Sequence, residues 1–68
     1  MNKFTNDNAI LKAQNKAYEA AEFEKSVCDQ FLSGQCSEDY YVSAMEATEQ
    51  AVSYAVSLGC SYKDLPPV

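Results

Sequence analysis

The sequence predicts an all-α fold: two long antiparallel helices forming a helical hairpin, with a short C-terminal tail. Three observations carry this. Residues 9 to 32 contain no Gly and no Pro and are rich in Ala, Leu, Lys, Glu and Gln, which lose little on entering a helix. "SGQCS", residues 33 to 37, then supplies a helix stop and a helix start. A second apolar-periodic run extends from 38 to 58, closed by Gly59.

The first helix is expected from about residue 8 to 32. Thr5 to Asn8 ("TNDN") is a cluster of N-cap residue types just before the first apolar positions. On a wheel of about 100° per residue, Ile10, Leu11, Ala13, Ala17, Tyr18, Ala20, Ala21, Val27, Cys28, Phe31 and Leu32 share roughly half the circumference. Lys12, Asn15, Glu19, Glu22, Ser26 and Gln30 take the other side. Gln14, Glu24 and Lys25 interrupt the apolar side, and Phe23 lies off it.

The turn occupies 33 to 37. Gly34 suits the left-handed residue that ends a helix. Ser37 suits the N-cap of the next one, with Glu38 and Asp39 in the first turn, where the helix dipole favours negative charge.

The second helix is expected from about 38 to 58. Tyr41, Ala44, Met45, Ala51, Val52, Ala55 and Leu58 form its central stripe. Val42 and Val56 widen the stripe on one side, and Tyr40, Ala47 and Tyr54 on the other. The apolar arc reaches about 240°, against the roughly 100° that one neighbour requires. In the plainest reading, alanine is only weakly apolar and half the arc stays in water. The other reading gives this helix a second neighbour, either another copy or a different protein. Tyr40, Ala44, Ala47, Ala51 and Ala55 are then the expected oligomer interface, since small side chains let helices approach closely.

Residues 59 to 68 form a tail in which Pro66-Pro67 cannot continue a helix. Leu65 and Val68 either fold back onto the hairpin or hang free. Tyr18 and Tyr41 are expected in the core, and Tyr40, Tyr54 and Tyr62 at an interface, because tyrosine has an apolar body and a polar tip.

With 68 residues the chain is one domain, which buries only roughly 60% of the surface it exposes when unfolded. Small folds usually add a metal, disulfides or self-association. No metal site and no cofactor are expected: there is no His, and Cys28, Cys36 and Cys60 lack CxxC spacing. Three cysteines make an odd number for a disulfide framework. A Cys28–Cys36 bond is sterically conceivable, whereas Cys60 belongs at the far end of a helix near 30 Å long. Cys28 reads as a core residue, Cys36 and Cys60 as incidental. Self-association into a homo-oligomer remains. The polar start "MNKFTNDN" has no apolar segment, so no secretory signal and no membrane span are expected, and the context is a reducing cytoplasm.

Ten acids face five lysines, and there is no arginine. That balance argues against direct nucleic-acid binding and against anionic membranes. Up to Lys25, four lysines match four acids. From Ser26 to Tyr62 there are five acids and no base. The net charge of −5 therefore resides in the second half.

Enzymatic chemistry is not expected. Without histidine there is no Cys–His nucleophile, the carboxylates read as solvated helix faces, and "SGQCS" is too poor in glycine to cradle a phosphate. The leading functional expectation is a protein-binding module. It would act stoichiometrically as an inhibitor or adaptor, presenting Glu38, Asp39, Glu46, Glu49 and Tyr54 to a basic partner surface. Masking a nucleic-acid-binding protein, as small acidic phage and mobile-element proteins do, is one form. The alternative is an oligomer that sequesters a small ligand between subunits, stacked on tyrosine with Lys12 or Lys16 at an anionic group. A redox role for Cys36 comes third.

Overall fold

In a computed structural model, the structure describes the backbone of residues 2–67 and the side chains of residues 8–67. Two helices, α1 (Asn2–Leu32) and α2 (Glu38–Ser57), pack against each other as an antiparallel hairpin, followed by a single 3-10 turn at Tyr62–Asp64. The rod measures 49 × 17 × 14 Å.

Helix α1 starts six residues before the expected position, so "TNDN" lies within the helix and not at its cap. Asn, Asp and Thr each cost about 0.7 kcal/mol or less inside a helix, which a long run can absorb.

Both helices end the same way. Gly34, at φ 79°, donates to the Phe31 carbonyl, and Gln35 donates to Gln30. Gly59, at φ 106°, donates to Val56, and Cys60 donates to Ala55. These are paired Schellman closures, which place the last carbonyls of each helix on donors beyond its end. Helix α2 opens on Ser37, whose hydroxyl accepts from the Tyr40 amide at 3.2 Å, with Glu38 and Asp39 in the first turn. The Ser33 hydroxyl bonds back to the Asp29 carbonyl at 2.9 Å. The central stretch is therefore a capped turn.

The seam has coiled-coil spacing. On α1, Ile10, Ala13, Ala17, Ala20, Glu24, Val27 and Phe31 alternate three and four residues apart, and all are buried or half-buried. On α2, Tyr41, Ala44, Thr48, Ala51 and Ala55, continued by the C-cap Leu58, do the same. This repeat keeps one stripe of each helix on the other. At the turn end, Phe31 stacks on Tyr41 with centroids 5.3 Å apart and planes 20° apart. At the far end, Ala13, Ala17, Val52, Ala55, Cys60 and Leu65 form one cluster, with Ile10 and Leu58 packed against it.

The hairpin has two flanks, and the tail closes one. The chain beyond Gly59 turns back along the side carrying Gln14, Ala21 and Cys28 of α1. Gln14 Nε2 donates to the Asp64 carbonyl at 3.0 Å, and Cys60, Leu65 and Pro66 are buried. Leu65 therefore folds back, while Val68 lies outside the described residues. Cys60 is a core residue and not an incidental one, because it follows Gly59 at the Schellman position that packs against Ala55. All three cysteines are free, and Cys36 lies with its thiol 3.6 Å from the Val27 carbonyl.

The other flank is open. Phe23 and Tyr40 meet there edge to face, with centroids 6.1 Å apart, yet each remains about half exposed, at 50% and 46%. Tyr18, expected in the core, is 43% exposed. It stands on the tail side of α1, beyond the column of Gln14, Ala21 and Cys28, where helix packing does not reach.

Small residues set the approach of the helices, so enlarging one should push them apart. Ala17→Leu should cost about 1–3 kcal/mol in urea unfolding. Asn15→Leu, on the exposed side, should stay within about 0.5 kcal/mol. Equal effects would show that Ala17 is not tightly packed.

Candidate functional site

The four acids of α2 share one side of the helix. Ser37 fixes the first turn and so orients Glu38 and Asp39, while Glu46 and Glu49 follow about two and three turns later. Counted from Tyr41 at about 100° per residue, the four lie between about 60° and 160°. All are exposed, and no salt bridge forms among the described residues. Lys12, Lys16 and Lys25 of α1 are likewise exposed.

Tyr54 does not join them. At about −140° on the same wheel it lies on the open flank, 59% exposed, in line with Ala47 and Tyr40. The residues expected at an oligomer interface also divide. Tyr40 and Ala47 are exposed and Ala51 is half-buried. Ala44 and Ala55 are buried in the seam. Their small side chains are used against α1 and present nothing to a second molecule.

A cleft of about 450 Å³ opens on the tail-covered flank near the turn end. It is lined by Ala21, Glu24, Lys25, Cys28 and Asp29 of α1, by Tyr41 of α2, and by Pro66 and Pro67 of the tail. The five α1 residues recur at helical spacing, so one helix face supplies a wall with two carboxylates, an ammonium and a thiol. The neighbouring Cys28 thiol holds the Tyr41 phenol above its ordinary value of 10.0, first as a hydrogen-bonding group and then as a charge. Partial desolvation and the Glu24 carboxylate push it the same way.

Two features escaped the sequence reading. Thr48 is fully buried, its hydroxyl donating to the Ala44 carbonyl at 3.2 Å. Its place four residues from both Ala44 and Val52 was a signal, hidden by a polar residue type. The cleft depends on the path of the tail, and no local pattern announced it.

Among the described residues, no cluster of three or more His, Cys, Asp or Glu side chains is placed to hold a metal. No described helix is long and apolar enough to cross a membrane. Comparison with known protein families, with curated proteins and with solved structures found no match. The functional reading therefore rests on the geometry.

A phenol whose pKa is raised in the fold stabilises the protein below the unfolded value and loses that contribution as pH climbs through the folded value. Stability should accordingly fall above about pH 10, and a spectrophotometric titration should show a tyrosine ionising late. Tyr41→Phe should remove that late component. A titration curve of unchanged shape in the variant would refute the placement of Tyr41 against Cys28.

Proposed function

We propose that the protein is a non-enzymatic, stoichiometric protein-binding module of the cytoplasm, an inhibitor or adaptor that engages a basic partner surface. The observation that carries this reading is the side of α2 formed by Glu38, Asp39, Glu46 and Glu49. These carboxylates are exposed on a capped helix, and among the described residues no lysine pairs with them. Prearranged like charges on a rigid helix attract a basic surface over roughly the 8–10 Å Debye length and speed encounter. Such spacing along a rod also suits imitation of a row of phosphates, so a nucleic-acid-binding protein is one fitting partner class. Tyr54, on the open flank, lies outside this patch and is assigned no part in it.

A second reading draws on the cleft at Tyr41. Its volume falls within the range of small-ligand sites. It lies within one chain, away from Lys12 and Lys16, and offers a ligand a place that needs no second subunit. A metabolite bound there should raise the melting temperature of the purified protein.

The double substitution Glu46→Lys with Glu49→Lys should abolish capture of the protein's partner and leave the helical circular dichroism unchanged. Capture by the unmodified protein should also weaken steeply with added salt. Capture that tolerates both the charge reversal and high salt would defeat the acidic-surface reading.

A further inference from the structure

The open flank of α2 has a regularity that neither its acids nor its core requires. Running along it are Tyr40, Ser43, Ala47, Ala51 and Tyr54, separated by three, four, four and three residues. The order of sizes, large–small–small–small–large, is the same in both directions about Ala47. Tyr40, Ser43, Ala47 and Tyr54 are exposed and Ala51 is half-buried. Beside Ser43, Gln50 and Ser57 are also exposed and uncharged, with Asp39 and Glu46 bordering them.

A two-fold symmetric contact uses the same patch on both molecules, so each residue must suit its own mirror position along the helix. Most surfaces fail that requirement. This one meets it. When two α2 helices cross antiparallel at Ala47, Ala47 faces its copy, Ser43 faces Ala51 of the second molecule, and Tyr40 faces Tyr54. The small residues permit close approach at the centre, and the four tyrosines close the two ends. Phe23, already edge-on to Tyr40, extends each end.

Charge selects the same face. A chain of net charge −5 repels its own copies. Glu38 and Glu49 lie on the side of α2 away from this face, and Asp39 and Glu46 lie at its margin. The open flank of α2 is thus where two copies meet with least repulsion. The closed flank is already occupied by the tail.

We propose that the protein forms a homodimer through this face, with the two-fold axis passing beside Ala47 and the two hairpins making a four-helix assembly. The acidic sides of α2 then point outward on both copies. The dimer is thus independent of whether those acids bind a partner.

The test is a charge swap at the axis, read by sedimentation velocity on the purified full-length chain under reducing conditions. Ala47 is exposed, so Ala47→Glu and Ala47→Lys should each keep the helical spectrum of the parent. The parent should show a concentration-dependent dimer. Each variant alone places like charges face to face and should weaken association by more than about tenfold. Mixing the two variants should restore the dimer, because opposite charges then meet at residue 47. Dimerisation that either variant leaves intact overturns the proposal. So does a mixture no more associated than its components, or a parent chain that is monomeric at every concentration.

Discussion

Ala13 and Ala17 belong to the same buried cluster as Val52 and Ala55, and Ala44 is also covered, so the seam is built largely from small side chains that let the helices approach closely. That close approach governs the rest of the molecule. An alanine side chain contributes about one methyl group of burial, on the order of 0.8 kcal/mol, against about 1.5–3 kcal/mol for a fully buried Val, Leu or Phe. Tight packing and a thin core thus come together. Among the described residues Val27 and Thr48 are the largest side chains fully enclosed, and Thr48 brings a hydroxyl that must bond to the Ala44 carbonyl.

A thin seam explains what surrounds it. The tail contributes Cys60, Leu65 and Pro66, which give one flank apolar cover that the two helices do not provide. The Phe31–Tyr41 stack closes the turn end with the broad side chains that the middle of the seam excludes. The opposite flank has no such cover, and its aromatic rings stay half in water. The molecule is a pair of closely apposed helices with an apolar supplement on one side only.

Much of this was legible in the residues. "SGQCS" read as stop, turn and start, and Gly34 and Ser37 take those roles in the capped turn. The width of the apolar arc on α2 anticipated a face larger than one neighbour covers. The buried members of that face were harder to separate from the exposed ones. Ala44 and Ala47 are chemically identical, and only their register against α1 decides that one is buried and the other is not. Thr48 is hidden by its residue type, since a hydroxyl at a seam position looks like a surface residue until the helix register is known. Cys60 and Leu65 were illegible for a different reason. Their burial depends on where the chain goes after Gly59, which the tertiary packing of α1 determines. The acidic side of α2 could be read directly, since exposed charges follow helix geometry alone, while the Cys28–Tyr41 cleft needed three chain segments to converge.

The position of the Phe31–Tyr41 stack also bears on the order in which the chain folds. It joins residues only ten apart, whereas Gln14 reaches across fifty to the tail. Each doubling of a closed loop adds roughly 0.6 kcal/mol of lost chain entropy. Contacts beside the turn are therefore the cheapest to nucleate, and each seam layer beyond them closes on a loop already shortened by the last. Loop entropy alone therefore favours closure outward from the turn, with the tail contact to Gln14 the costliest to make first.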